Sequence, residues 1–517
     1  MHWSRWGDPA QAAPLSESAF GLVDAFIGTS ERPAVDPGAV RLTDPLDGGL
    51  LEELAGIAGA EQVLTDHETR LHRTRGKSTP DLLRLRAGDG SDSPDAVVRP
   101  GTHEEVAALI AWAVERHVAL VPFGGGTSVV GGLVAEREGF AGVVSLDLLR
   151  LDRLLAVDTD SMTATLEPGL RGPQAEALLA KHGLTLGHFP QSFEYASIGG
   201  FAVTRSSGQS SSGYGRFDSL VVGLRVATPQ GELVLGNSPA NAAGPDLREV
   251  VMGSEGTLGV VTAVTVRVRR VPAVKVYESW RFGSFVEGTA AMRHLAQGGV
   301  LPTVLRLSDE AETSVNLAKP ADVGGASDGG CLMVTGYEGT QEAVDAKRTA
   351  VTALLHGLGG SPLGEDEGWS SGRFHGPYLR DSLLDVGVLV ETLETVTFWS
   401  NLSRVYEAVK AALTASLGES TLVLCHISHV YETGASLYFT VATRQSDDPL
   451  AQWLAAKTTA SDALVDHGAS ITHHHAVGHD HKPWLAREIG PVGVRMLRAL
   501  KHDLDPTGVL NPGVLIP

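Results

Sequence analysis

The sequence predicts an α+β protein built as two successive mixed domains, and three observations lead there. Between about residues 91 and 272, β-branched runs (Ala96-Val-Val98, Gly142-Val-Val-Ser-Leu146, Val221-Val-Gly-Leu-Arg-Val-Ala227 and the stretch 260–268) alternate with helical periodicity over 104–117 and 172–182. Helix and strand patterns repeat over 273–470, with strands at 422–425 and 435–441 and a helix at 399–414. Joining them in one scheme is the run Pro122-Phe-Gly-Gly-Gly-Thr-Ser128, which follows the strand-like Val118-Ala-Leu-Val121 and can hold a diphosphate.

Residues 1–90 read as a helical extension, with an amphipathic helix at 16–27 and a basic run, Arg70-Leu-His-Arg-Thr-Arg-Gly-Lys-Ser-Thr79. Gly76-Lys77-Ser78 is no Walker loop, because Leu71 stands where that loop needs glycine, so the basic patch is expected to be solvated or substrate-facing. In the 91–272 domain, Thr102 and Glu105 form a capping-box pattern ahead of the 104–117 helix. Gly124, Gly125 and Gly126 remove every Cβ from one face of a turn, so that successive N–H groups converge on an anion, and Thr127 and Ser128 add hydroxyls. Val129 occupies the third glycine position of a Rossmann fingerprint, which excludes that motif and leaves a plain surface turn as the alternative. The 273–470 segment is the substrate or cap domain, with a glycine-rich break at 324–330, and 471–517 adds a histidine-rich stretch, a helix at 491–504 and closing turns at Asp505-Pro-Thr-Gly508 and Asn511-Pro-Gly513.

At 517 residues, with 43% hydrophobic and 20% charged residues, the chain is long enough for two or three domains. Its net charge of −20 argues against a nucleic-acid partner. Two cysteines, Cys331 and Cys425, make no disulfide framework, and no stretch reads as a membrane span or leader, so the expectation is a cytoplasmic protein with peripheral membrane contact left open. His473, His474, His475, His479 and His481 cluster, but no H-E-x-x-H or cysteine pair accompanies them. If the triplet is extended, His473 and His475 share a face that His474 does not, so a metal reading ranks below catalysis and no metal is expected; a solvated cluster is the third option and suits His479 and His481 best.

Several motifs resemble one flavoprotein superfamily, that of vanillyl-alcohol oxidase and p-cresol methylhydroxylase. They are Pro94-Asp-Ala-Val-Val-Arg-Pro100, the glycine run, Leu166-Glu-Pro-Gly169, residues 191–200 and 208–218, and Gly253-Ser-Glu-Gly-Thr-Leu-Gly259. The C-terminal half narrows the resemblance to the alkyldihydroxyacetonephosphate synthase family through Thr472-His-His-His-Ala-Val-Gly478, Pro302-Thr-Val-Leu-Arg-Leu307, Tyr378-Leu-Arg-Asp381, Glu391-Thr-Leu-Glu-Thr395 and the stretch 429–439. The resemblance implies a two-subdomain FAD-binding domain of the p-cresol methylhydroxylase type, an α/β cap with an antiparallel sheet, and a C-terminal segment that completes the flavin site.

It further implies FAD held by Pro122, Gly124, Gly125, Gly126, Thr127, Ser128, Gln191, Ser197, Gly200, Thr204, Ser207, Glu255, Thr257 and Val260. Residues 121–132 contain no histidine or cysteine, so the flavin is expected to be non-covalent, His188 being the nearest candidate for attachment. In the family a flavin N5 adduct lets a fatty alcohol replace the acyl group of acyl-dihydroxyacetone phosphate without net redox change. Tyr431 matches the residue that takes the substrate proton, and His473, His474 and His475 are expected to lower its pKa and shuttle that proton. Arg380 and Arg306 match arginines that hold carboxylate or phosphate, Arg306 having an ion pair with Asp309 or another carboxylate as its alternative. His479 departs from the basic residue usual after the triplet's glycine. A lipid-like substrate and a homodimer are implied, and an FAD-linked oxidoreductase of a 2-hydroxy acid or alcohol is the competing activity.

Overall fold

The computed structural model describes residues 1–517 except 13, 319–322, 326–328, 367 and 369–371, so part of the glycine-rich break at 324–330 lies outside the described residues. A four-stranded sheet runs in the order Val63–Leu64, Ala96–Val98, Val143–Asp147, Ala119–Phe123. Its last three strands are parallel, with Val97 and Val121 both opposite Ser145. Ala96, Val97 and Val98 are fully buried, as expected of parallel strands covered on both faces. Its edge strand comes from ahead of residue 91, so the N-terminal segment is woven into this sheet and is not helical throughout.

An antiparallel five-stranded sheet follows, ordered Gly231–Leu235, Val221–Thr228, Val260–Arg267, Thr163–Leu166, Leu154–Asp158. Ala227 and Val260 of this sheet share a core with Leu120, Val144 and Leu146 of the first, which locks the two subdomains together. The helix His103–Arg116 packs beside them; Thr102 Oγ1 accepts from Glu105 N–H, while the Glu105 carboxylate reaches Gly101 N–H rather than the cap residue itself.

The cap is a seven-stranded antiparallel sheet ordered Ser361–Glu365, Val274–Phe282, Cys331–Gly339, Val304–Ser308, Leu422–Ile427, Gly434–Arg444, Val388–Phe398. Four helices, Phe285–Gln297, Gln341–Gly357, Leu402–Leu417 and Pro449–Asp466, bring apolar residues to its largest core, where Trp280, Trp453, Tyr337 and Phe439 are fully buried. The chain then returns to the first sheet: Leu120 N–H donates to Val509 O and Asn511 N–H to Leu120 O, each at 2.8 Å. The last helix spans Lys482–Leu504 and kinks at Gly490 (φ 70°), just before Pro491.

The basic run at 70–79 is not solvated. Arg70, Arg75 and Lys77 are buried, with Arg70 donating to Pro94 and Thr43 carbonyls, Arg75 paired with Asp92 at 2.7 Å, and Lys77 donating to the carbonyls of His2 and Trp3. Carbonyls that only tertiary packing supplies take up Arg70 and Lys77, and a carboxylate takes up Arg75.

Candidate active site

A cavity of about 390 Å³ lies where both flavin-side sheets meet the cap. Pro122, the penultimate residue of the strand Ala119–Phe123, stands at the cavity wall, and after Phe123 the three glycines follow with no room for a side chain. A Cβ on Gly124 would lie 2.3 Å from Ser197 Oγ, and one on Gly125 would lie 2.0 Å from the Tyr195 carbonyl oxygen. Gly126 has φ 70°, the left-handed region. Ser197 caps the helix Ile198–Val203, whose Gly200 and whose C-cap Thr204 also line the cavity, with Gln191 and Val260. Two backbone segments therefore meet without side chains between them and with amides and hydroxyls at the surface, which fits a diphosphate and a flat ring.

Thr127 and Ser128 line the same wall. Ser128 Oγ accepts from Gly132 N–H at 3.1 Å, so its own proton is free for a ligand oxygen. Two residues expected at the cofactor are spent elsewhere: Thr257 Oγ1 donates to the Ser254 carbonyl, and Ser207 Oγ bonds His429 Nδ1 at 3.0 Å. Glu255 lines the cavity with φ 52°, but its carboxylate accepts the N–H groups of Val477 and Gly478, tying the histidine loop to the flavin side. Burial pushes its pKa up to about 7. His188 is buried between Phe201 and Phe217 with Nε2 3.0 Å from Ser206 Oγ, a packed position.

The histidine triplet is not extended. The backbone N–H groups of His473, His474 and His475 and the hydroxyl of Thr472 all converge on the buried carboxylate of Glu394, at 2.6–3.0 Å from Oε1. The condition for strand alternation is therefore not met, because one carboxylate gathers three consecutive amides into a turn. Burial works to raise the Glu394 pKa, yet the imidazoles of His474, His475 and His473 hold it well below the ordinary carboxylate range. From this turn runs a chain of short contacts. Tyr431 Oη lies 2.5 Å from His473 Nε2, His473 Nδ1 lies 2.9 Å from His474 Nδ1, and His474 Nδ1 lies 3.4 Å from Glu394 Oε2. His474 and His475 line the cavity, and Tyr431 is reached through His473, which His429 stacks at 4.9 Å.

The expected lowering of the tyrosine pKa does not occur: burial pushes Tyr431 up to about 12, and Arg216 only partly opposes it. The reason is that burial also strips the neighbouring imidazoles of charge. His473 and His429 are held well below the usual histidine value and His475 is lowered to about 3, so these three rings offer Tyr431 no standing cation. His429, His473 and His474 bring ring nitrogens within 4.8 Å of one another, but Nδ1 of His429 and both ring nitrogens of His473 already have protein partners.

Arg380 and Arg306 both line the cavity. Arg380 grips Asp381 Oδ1 through Nε and Nη2 at 3.0 and 2.9 Å and donates to the Lys77 carbonyl at 2.6 Å. Arg306 pairs with Glu312, not Asp309, and contacts His426 Nδ1 at 3.0 Å. Asp309 is taken by Lys410 and Tyr406. His479, in the basic position of the motif, bonds the Val134 carbonyl through Nε2.

Part of the cavity lining is apolar, with Leu15, Leu22, Val23 and Ile27 from the N-terminal segment and Leu383, Val390, Leu424 and Ala442 from later in the chain. Sequence reasoning assigned no role to Glu394, Arg216, Trp6 or this first helix. Glu394 stands inside a quoted motif, but its partners are some 80 residues away and nothing local announces them.

Residues 94–236 match the family model described as FAD binding domain, and residues 271–515 match FAD linked oxidases, C-terminal domain. The chain is 34% identical over 496 residues to an alkyldihydroxyacetonephosphate synthase of Dictyostelium discoideum, covering 90% of this chain and 80% of that protein. A solved structure of an alkyldihydroxyacetonephosphate synthase superposes with TM-score 0.85 at 29% identity, covering 99% of this chain and 98% of the other. Substrate-bound p-cresol methylhydroxylase shares the fold alone, at 16% identity and TM-score 0.68, over 91% and 98% of the two chains. Together with the glycine cradle and the histidine turn, these likenesses establish that the chain belongs to the alkyldihydroxyacetonephosphate synthase family of FAD-dependent enzymes.

Proposed function

We propose that this protein exchanges the acyl group of acyl-dihydroxyacetone phosphate for a fatty alcohol, with non-covalent FAD and no net redox change. The observation that carries the reading is the Tyr431–His473–His474–Glu394 chain beside a cavity whose wall is in part lined by aliphatic side chains. Bound oxidised FAD supplies an electrophilic ring that holds the substrate carbon between departure of the carboxylate and arrival of the alcohol.

The protein's part is proton transfer and charge. Tyr431 rests as a phenol hydrogen-bonded to His473 Nε2 and becomes a base for the proton beside the carbonyl as its own proton moves to that nitrogen. The anionic Glu394 stabilises the imidazolium so formed, which offsets the low basicity that burial imposes. Arg380 holds an anionic oxygen of the substrate, Arg306 keeps Glu312 and His426 in place at the wall, and Pro122, Gly124–Gly126, Thr127, Ser128, Gln191, Ser197, Gly200, Thr204 and Val260 hold the cofactor. The ester C–O bond breaks with loss of a carboxylate, the alcohol oxygen forms the new C–O bond, and the alcohol's proton replaces the one transferred. The aliphatic part of the wall keeps the chains dry.

Phe20 and Phe26 project outward from the helix Glu17–Phe26, whose other face lines the cavity, which suits delivery of the chains from a membrane surface. No helix among the described residues is long and apolar enough to cross a membrane. A cytoplasmic homodimer completes the proposal, checked by fractionation and light scattering.

The test is to incubate FAD-loaded protein with acyl-dihydroxyacetone phosphate and hexadecanol and to look for the ether by mass spectrometry. Wild type forms it, and Tyr431→Phe retains flavin but loses turnover by at least a hundredfold. Absence of ether with wild type, together with flavin bleaching on anaerobic addition of a 2-hydroxy acid, would replace this reading with an oxidoreductase.

A further inference from the structure

We infer that the N-terminal strap, residues 1–8, is part of the substrate site, and that the indole N–H of Trp6 donates a hydrogen bond to an anionic oxygen of the substrate beside Arg380. The inference rests on the transferase reading only for what that substrate is.

The strap is held far more firmly than a surface tail needs to be. Lys77 Nζ donates to the carbonyls of His2 (2.7 Å) and Trp3 (3.1 Å), and Arg5 pairs with Asp385 at 2.7 Å. Asp8 N–H donates to Tyr195 Oη at 3.0 Å, and that hydroxyl meets Tyr378 Oη at 3.1 Å. Gly7 makes the turn possible: its φ is 58°, and a Cβ there would lie 2.2 Å from Tyr378 Oη.

These contacts fix the strap's register on the arginine. Trp6 N–H donates to Asp381 Oδ2, while Arg380 grips Oδ1 of the same carboxylate, so the tryptophan backbone and the guanidinium are braced by one group. The Trp6 ring is 4% exposed and stands edge-on to Tyr195, at 5.9 Å, on the back of the glycine cradle.

Trp6 and Arg380 line the same cavity, and the indole Nε1–H, though buried, meets no acceptor among the described residues. A buried indole N–H normally finds a partner, and leaving one unmet costs stability. Trp280 and Trp453 also have unmet indoles, both in the packed core of the cap; Trp6 packs against Tyr195 and Tyr378 too, but of the three it is the one that also lines the cavity. The phosphate and the departing carboxylate share the chemistry this donor would recognise.

The experiment titrates FAD-loaded wild type and Trp6→Phe with dihydroxyacetone phosphate and, separately, with palmitate, by calorimetry. Phenylalanine keeps the aromatic packing and removes the donor. The expected result is about tenfold weaker binding of one of the two ligands, the one affected naming the oxygen held, with the melting temperature little changed. Equal affinity of both forms for both ligands overturns the inference, as does failure of wild type to bind either. As a check independent of the variant's folding, the Trp6 indole resonance of ¹⁵N-tryptophan-labelled wild type moves downfield on adding that ligand, and no movement overturns the inference. Loss of ether synthesis with the binding difference intact would sink the transferase reading and leave Trp6 as an anion donor.

Discussion

Glu394 organises the histidine turn, and replacing it gives a graded result that follows from counting donors. Its Oε1 accepts three backbone N–H groups and the Thr472 hydroxyl, all within a buried setting. Glu394→Ala strands four donors; at about 1 kcal/mol each, the low end for an unmet buried donor, the loss is about 4 kcal/mol. Glu394→Gln leaves a carbonyl oxygen that can occupy the same position, so the bonds persist but lose their charge assistance, for a loss of about 2 kcal/mol. At roughly 2–4 °C per kcal/mol for a domain of this size, the melting temperature falls by about 4–8 °C for glutamine and about 8–16 °C for alanine. Thermal unfolding followed by fluorimetry measures both. Turnover falls in both as well, because the charge that would stabilise an imidazolium on the triplet is gone. An alanine variant that melts within about 2 °C of wild type would mean that Glu394 does not hold the triplet, and the proton path would have to be redrawn.

Three further outcomes are expected. Gly125→Ala, whose Cβ would collide with the Tyr195 carbonyl, purifies with most of its flavin absorbance lost at 450 nm; a normal 450/280 ratio would refute the cradle. Burial depresses the pKa of His188 and His475 to about 3, of His481 to about 4, and of His429 and His473 well below normal, so the unfolded chain takes protons near pH 6.5 that the folded one refuses. Stability from these groups is complete above pH 6.5 and is lost progressively as pH falls from there toward about 3. Glu255 and Asp81, raised by burial to about 7 and about 6, act in the opposite sense but are outnumbered. The urea midpoint therefore drops between pH 7.5 and 5.5, and an unchanged or higher midpoint at 5.5 would count against the neutral, buried histidines. Arg306→Ala strips the fully buried Glu312 of its guanidinium and costs about 3–5 kcal/mol, read as a lowered melting temperature; a variant as stable as wild type would show that His426 and Ser308 suffice.

The glycine run was legible because its meaning is local: only residues without Cβ let two backbone segments close to within contact, and the structure places Tyr195 and Ser197 where such atoms would fall. The parallel strand Ala96–Val98 was legible from its unbroken apolar run, and the Thr102 cap from its spacing. The triplet's conformation was not legible. An isolated His-His-His gives no reason to turn, and the carboxylate that turns it comes from a strand about 80 residues earlier. Which carboxylate pairs with Arg306 was not legible for a related reason: Asp309 is nearer in sequence, but as the cap of the short helix Glu310–Ser314 it faces Lys410 and Tyr406, whereas Glu312 lies on the side facing Arg306.

By itself the sequence determined the α+β class, the family, the side-chain-free glycine turn and the types of residue that gather at the cavity, since each rests on local pattern or on motifs in order. Tertiary structure alone decided the charge state of that chemistry. Whether a phenol is acidic or an imidazole carries a proton depends on how much water burial removes and on which distant groups replace it, and those are properties of packing rather than of neighbours along the chain.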